Sequence, residues 1–368
     1  MTETLTHFIG GKQISAPGAL ESINPSNTGE VIAKFPDGSP EDVNKAVEAA
    51  RAAFAGWSGA TPEVRSDILD KAGNLIIERK DVIGKLLARE EGKTLAEATG
   101  ETVRAGRIFK YFAGEALRRH GRNMDSVRPG VEIQTYREAV GVYGMITPWN
   151  FPIAIPAWKM APALAFGNTV VLKPANPTPA TAHALVSILH EAGAPAGVVN
   201  MILGRGIVGD ALSKHPDVNG ISFTGSQTVG AKVALAAVSR QARVQMEMGG
   251  KNPLVVMDDA EFDRAVQIAV DGGYFATGQR CTASSRVFVQ EGIYDKFIAA
   301  VAERAKALKV GDALDPTTQM GPAVTDVQLA GNLKYVDIAL KQGGRLLAGG
   351  TDPLKMSNQG YYMSPTLI

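Results

Sequence analysis

The chain has 368 residues, enough for two or three domains and an ample core, and its 45% hydrophobic and 20% charged content is that of a folded soluble protein. With 38 basic against 37 acidic residues the net charge is +1, so no basic excess invites nucleic acid or an anionic membrane as partner. A single cysteine excludes an internal disulfide and a cysteine-based metal cluster, and fits a reducing compartment. The opening MTETLTHFIGGK has neither the basic nor the apolar region of a secretion signal. The most apolar stretch, 140–172, is broken by Pro148, Pro152, Pro156, Lys159, Pro162 and Asn168, and is a poor membrane span. A cytoplasmic protein without bound metal is expected.

In chain order, HFIGGKQI and INPSNTGEVIAKFP alternate apolar and polar residues around turns and predict short strands. Ser39-Pro40 predicts a helix start, with Ser as N-cap and Glu41 and Asp42 in the first turn; Val43, Val47, Ala50 and Phe54 recur at helical spacing. A second helical block opens at Thr61-Pro62-Glu63 and is expected to reach about Arg119, with interruptions near Gly92 and Gly100. From Arg122 to Gly141 the pattern turns strand-like and predicts a two-stranded excursion. Strands and helices then alternate: GVYGMITPW, PAWKMAPALAFG, TVVLKP, TPATAHALVSILHEAG, GVVNMIL, GDALSKH, GISFTGS, TVGAKVALAAVS and VQMEMGG. Such alternation argues for an α/β fold with a parallel sheet and helices on both faces. A second α/β block follows, with NPLVVMDDA and SSRVFVQE as strands and DRAVQIAVDGGYFA and IYDKFIAAVAERAKAL as helices.

Three segments carry candidate chemistry. In GQRCTASSR, Cys281 lies between a helical run and a strand, with small neighbours that leave the sulfur accessible. A lone cysteine is usually a small buried hydrophobe, and at an ordinary pKa of about 8.5 it needs activation to act as a nucleophile. The five histidines fall in no recognisable partner motif, which disfavours a cysteine protease. In QMEMGGKNP, Glu247 ends a strand before Gly249-Gly250, either as a solvated terminus or as a carboxylate aimed into a cleft. In TPWNFPIAIPAWK, Asn150 follows a strand, and its amide is able to stabilise a developing oxyanion or simply to make a turn. Two glycine-rich turns join strand to helix: GRGIVG, including Gly206, and FTGSQTVG, whose Ser226 and backbone N–H groups suit a pyrophosphate at a helix N-terminus. VLKPAN ends a further strand, where ligands of open α/β sheets bind, and Lys173 there suits ribose hydroxyls or phosphate.

Together PWNFP, the Lys-Pro after a strand, FTGS-x-x-x-G, E-x-G-G-K-N-P and GQ-x-C resemble the aldehyde dehydrogenase superfamily in order and separation, from the N-terminal strands to the last residue. The resemblance implies an NAD(P)-binding domain over 1–121 and 141–248, an oligomerisation arm over 122–140 and a catalytic domain over 249–368. It implies Cys281 as nucleophile, Glu247 as general base, Asn150 with the backbone N–H of Cys281 as oxyanion donors, and Lys159 near the site. The cofactor, NAD or NADP, is then expected along Ile146, Trp149, Lys173, Asn176, Gly206, Gly225, Ser226, Gly230, Met248 and Gly249. Because the glutamate at 247 is present, hydrolysis of the acyl-enzyme is expected rather than transfer to coenzyme A. Many NAD-preferring members have Glu where this chain has Asn176, so tolerance of NADP is expected.

IPAWK with GQRCTASSR is similar to 2-oxoglutarate semialdehyde (2,5-dioxopentanoate) dehydrogenases. Arg280 is a candidate for the distal carboxylate or for a structural ion pair, and Trp158 is a candidate substrate contact. Succinate semialdehyde is the second-ranked substrate, since members acting on it often have Arg where this chain has Trp158. The family continues beyond the point where this chain ends, with an acidic segment against the nicotinamide ribose, the rest of the catalytic domain and a final oligomerisation strand. Taken alone, the chain is therefore expected to lack a wall of both the cofactor pocket and the substrate tunnel. A non-catalytic relative or an inactive fragment is the competing reading; a homodimer or homotetramer is expected at full length.

Overall fold

The computed structural model describes residues 2–16, 20–118 and 121–368. In chain order the strands and helices are β1 (Glu3–Thr4), β2 (His7–Ile9), β3 (Lys12–Ile14), β4 (Leu20–Ile23), β5 (Val31–Phe35), α1 (Pro40–Gly59), α2 (Pro62–Glu78), α3 (Lys80–Glu91) and α4 (Leu95–Ala116). There follow β6 (Arg122–Asp125), β7 (Glu132–Thr135), β8 (Val142–Ile146), α5 (Ala154–Ala165), β9 (Thr169–Lys173), α6 (Pro179–Ala192), β10 (Val199–Met201), α7 (Gly206–Lys214), β11 (Gly220–Gly225), α8 (Gln227–Val238) and β12 (Arg243–Met248). The chain ends with β13 (Asn252–Val256), α9 (Phe262–Tyr274), β14 (Ser284–Val289), α10 (Tyr294–Ala307) and α11 (Asp326–Lys341).

The main sheet has the order β12-β11-β8-β9-β10-β2-β3, parallel from β12 to β10 and completed by an antiparallel hairpin of β2 and β3. Alternation along β9 divides two cores. Val170 and Leu172 pack with α2, α4, α5 and α6 on one face, whereas Val171 packs with α1 and α7 on the other. All three are fully buried, which is why this strand reads as a continuous apolar run.

The helix starts follow their caps. Ser39 forms a capping box with Asp42 at α1, Thr61 caps α2, and Thr94 forms a second box with Glu97 at α4. Gly92 ends α3 at φ +99°, a left-handed conformation suited to glycine. The interruption expected at Gly100 is absent: Gly100 lies inside α4, and a Cβ placed there would meet nothing within 4 Å. A glycine costs a helix about 1 kcal/mol, which a capped helix packed on α2, α3 and α5 tolerates. Arg119, the expected end of that helical block, lies outside the described residues. β6 and β7 form the antiparallel hairpin expected after Arg122, and every residue of both strands is exposed. Past β12, β13 and β14 make a separate parallel pair whose inner side packs with α9 and α10. No helix among the described residues is long and apolar enough to cross a membrane.

Candidate active site

The parallel strands point their C-terminal ends to one edge of the sheet, where open α/β folds place ligands. There the turn after β8 carries Asn150, and the loop after α9 carries Cys281. Asn150 Nδ2 donates to the Gln279 carbonyl at 2.8 Å, which joins the two segments two residues before the sulfur. An amide nitrogen has two hydrogens, so this bond leaves one for another acceptor. Asn150 Oδ1 is buried without a partner.

The nucleophile loop is strained and firmly held. Ala276 and Thr277 have positive φ, 50° and 56°, followed by Gly278 at 65°. Consecutive non-glycine residues in this region are costly and persist only where surroundings over-determine them. Here Glu97 accepts from the Ala276 N–H at 2.8 Å, Thr277 Oγ1 donates to the Gly321 carbonyl at 3.2 Å, and Gln279 Oε1 accepts from the Val324 N–H at 3.1 Å. Asn252 Nδ2 donates to the carbonyls of Cys281, at 2.7 Å, and Ala283, at 3.1 Å. The thiol itself is free and exposed.

A buried charged cluster holds the Asn150 turn. Lys93 Nζ donates to the Asn150 carbonyl at 2.7 Å and to Glu101 Oε2 at 2.6 Å, and lies 3.9 Å from the centroid of Phe151. Glu101 Oε1 accepts from the Ile153 and Ala154 N–H groups, each at 3.1 Å, at the start of α5. Burial opposes the charge on Lys93, but Glu101 and Glu91 outweigh it and hold the ammonium above its ordinary pKa. Burial pushes the Glu91 carboxyl up to about 7 despite Lys93. Sequence reading missed Lys93, Glu97 and Glu101. Their signal was a pair of acids one turn apart, Glu97 and Glu101, on the helix that Thr94 caps, with a lysine immediately before the cap.

Glu247 lies at the end of β12, in register with Thr224 of β11, one step beyond the Phe223–Ile146 pair that joins β11 to β8. Two strand spacings, ~10 Å, separate β12 from β8. The carboxylate is exposed and accepts from Gln245 Nε2 at 2.8 Å. Gln245 Oε1 accepts in turn from Lys159 Nζ at 3.1 Å, and Lys159 also donates to Ser222 Oγ at 2.8 Å. Burial lowers the Lys159 pKa to about 8, with Glu247 opposing the shift.

The same edge continues to the residues expected along a cofactor. Lys173, at the end of β9, is buried and donates to Asn176 Oδ1 at 3.4 Å; burial lowers its pKa to about 8, opposed by Asp37. Asp37 accepts from Arg205, the N-cap residue of α7, so Gly206 opens its helix near Lys173. Ser226 caps α8, and Gly225 ends β11. A Cβ on Gly230 would lie 2.6 Å from Met248 Sδ, so glycine lets α8 close on the end of β12. The Gly249 carbonyl accepts from Gln227 Nε2 at 3.2 Å, and Ile146 and Trp149 are half-buried. A dinucleotide fits this donor set. Lys173 has donors beyond its one long contact, and the α8 N-terminus presents backbone N–H groups. Among the described residues no group of His, Cys, Asp or Glu is arranged to hold a metal.

Two candidate substrate residues are placed differently from each other. Arg280 Nη2 donates to the Asp271 and Gly272 carbonyls at 2.9 and 3.0 Å, and its guanidinium lies 4.9 Å from the Phe275 ring centroid. It ties the loop to the end of α9, which is neither a carboxylate contact nor an ion pair. Trp158 is half-buried on α5, with the Arg104 guanidinium 5.9 Å from its ring centroid.

The sequence profile of the aldehyde dehydrogenase family matches residues 13–368. The chain belongs to this family. It is an NAD(P)-dependent oxidoreductase acting on the aldehyde group. It is 41% identical over 372 aligned residues to the alpha-ketoglutaric semialdehyde dehydrogenase of Bacillus subtilis, covering 99% of this chain and 76% of that protein. To the alpha-ketoglutarate semialdehyde dehydrogenase of Haloferax volcanii it is 42% identical, covering 100% of this chain and 77% of the relative. The betaine aldehyde dehydrogenase of Staphylococcus aureus, solved in complex with NAD+, superposes with a TM-score of 0.95 at 36% identity, over 98% of this chain and 73% of that one. These likenesses establish the aldehyde dehydrogenase fold seen here.

Proposed function

We propose that this aldehyde dehydrogenase oxidises 2-oxoglutarate semialdehyde to 2-oxoglutarate, with Cys281 as nucleophile, Asn150 as oxyanion donor and Glu247 as general base. The observation that carries the reading is the Asn150–Gln279 bond at 2.8 Å, which sets the amide beside the Cys281 loop at the sheet edge where Glu247 ends β12. In this mechanism the Cys281 thiolate adds to the aldehyde carbon. The remaining Asn150 amide hydrogen and the Cys281 backbone N–H donate to the resulting oxyanion. Lys173, Asn176, Gly225 and Ser226 would hold NAD(P), which would supply the acceptor for the hydride that this carbon loses as the thioester forms. Glu247 then takes a proton from water, hydroxide adds to the thioester carbon, and collapse expels the Cys281 thiolate and frees the acid. Lys159, linked to Glu247 through Gln245, steadies that carboxylate.

The substrate assignment follows the two relatives whose names carry it and the IPAWK and GQRCTASSR segments. Steady-state kinetics with 2-oxoglutarate semialdehyde, succinate semialdehyde and a neutral aliphatic aldehyde test it. The first is expected to have the highest kcat/KM, and preference for the neutral aldehyde would overturn the assignment. The free thiol suits the reducing cytoplasm, and the wholly exposed β6–β7 hairpin suits pairing with another subunit in a homodimer or homotetramer.

A further inference from the structure

We infer that Arg104 binds the distal carboxylate of the substrate and thereby selects carboxylated aldehydes. The inference rests on the substrate reading above. One face of α4 runs along the site. Glu97 holds the nucleophile loop through the Ala276 N–H, and Glu101, one turn on, holds the start of α5 through the Ile153 and Ala154 N–H groups. Arg104 is three residues beyond Glu101, and Trp158 is four beyond Ala154, so the next contact between the two helices is the guanidinium near the indole ring, at 5.9 Å. The pair therefore stands about one turn further along two packed helices than the bonds that hold the Cys281 loop and the start of α5, with a cation on one helix beside an aromatic face on the other.

Arg104 is the cation free for this role. It is exposed, and among the described residues it makes no ion pair or hydrogen bond. The acid one turn before it, Glu101, is taken up by Lys93 and the α5 backbone. Arg280, the alternative beside the nucleophile, is turned to the carbonyls of α9. Lys159 faces Ser222 and Gln245. A planar guanidinium is suited to a carboxylate by its paired N–H donors, and the neighbouring ring limits its swing.

The test compares wild type, Arg104→Met and Arg104→Lys on 2-oxoglutarate semialdehyde and on hexanal. Loss of a charge-assisted bond of ordinary strength is expected to lower kcat/KM for the carboxylated aldehyde about tenfold to hundredfold in Arg104→Met, chiefly through KM. Hexanal turnover is expected to change by less than about twofold, and Arg104→Lys to recover part of the loss. A second readout needs no turnover: glutarate is expected to protect Cys281 from iodoacetamide in wild type, and to do so only at about tenfold higher concentration in Arg104→Met. Equal losses on both aldehydes, or unaltered protection by glutarate, would overturn the inference. The substrate reading fails separately, in the wild-type comparison, if hexanal is the better substrate before any substitution is made.

Discussion

Lys93→Met tests whether a buried ion pair sets the geometry of the oxyanion donor. The side chain is 1% exposed and bonds to Glu101 at 2.6 Å and to the Asn150 carbonyl at 2.7 Å. Methionine keeps much of the volume and removes the charge, which leaves Glu101 buried without its cation. Breaking one side of a buried pair costs about 3–5 kcal/mol. With an unfolding entropy of ~2 cal/mol/K per residue, a cooperative chain of 368 residues is expected to lose about 4–7 °C in Tm. The larger effect is on catalysis. Freed of its carbonyl anchor, Asn150 shifts relative to the reacting carbon, and a displacement of ~1 Å is worth up to about a hundredfold in rate. The nucleophile loop is held independently by Glu97, Asn252 and Gln279, so iodoacetamide should label Cys281 at close to the wild-type rate. Differential scanning fluorimetry, kcat and the labelling rate are read on the same preparation. A Tm and a kcat both at wild-type values would refute the positioning argument. A labelling rate that falls in step with kcat would show that Lys93 supports the whole site and not Asn150 in particular.

Other expectations follow from the cofactor edge and the buried lysines. Asn176→Glu sets a carboxylate beside Lys173, where it would accept from ribose hydroxyls and repel a 2′-phosphate; the NADP/NAD ratio of kcat/KM should fall at least about tenfold. An unmoved ratio would exclude Asn176 from the ribose site. Lys159→Met is expected to gain stability relative to wild type more at pH 7 than at pH 10. The folded lysine titrates near 8 and the unfolded one near 10.5. Between those values the unfolded chain holds the extra proton, so wild-type stability rises with pH as this burial penalty is relieved. Thermal melts of both proteins at the two pH values check the sign, and a difference that does not change with pH would contradict it.

Much of the site was legible because its chemistry sits at punctuation marks of the fold. Asn150 follows β8, Lys173 ends β9, Ser226 caps α8 and Glu247 ends β12, all positions that strand-to-helix alternation and turn residues announce. The supporting shell was not legible in the same way. Lys93 reads as a loop residue and Glu97 and Glu101 as a solvated helical face, and only the tertiary fold supplies the Asn150, Ile153, Ala154 and Ala276 backbone groups that these side chains hold, which makes the burial of Lys93 and Glu101 tolerable. Gly100 misled because propensity alone favours a break, whereas the rest of α4 packs on its neighbours and the side-chain position of Gly100 faces open space. α11 gave little signal because Leu329 and Val336 are the only buried residues along it, too few for an apolar stripe. The role of Arg280 turned on a bend, since the positive φ angles at Ala276 and Thr277 bring its guanidinium back to the end of α9.

The most direct measurement is intact-protein and peptide mass spectrometry of Glu247→Gln after mixing with 2-oxoglutarate semialdehyde and NAD+ or NADP+. With attack intact and deacylation slowed, one acyl group should accumulate on the Cys281 peptide, together with about one reduced cofactor per site and little further turnover. Steady turnover at the wild-type rate, or a reduced cofactor with no mass added at Cys281, would contradict the assignment of nucleophile and base.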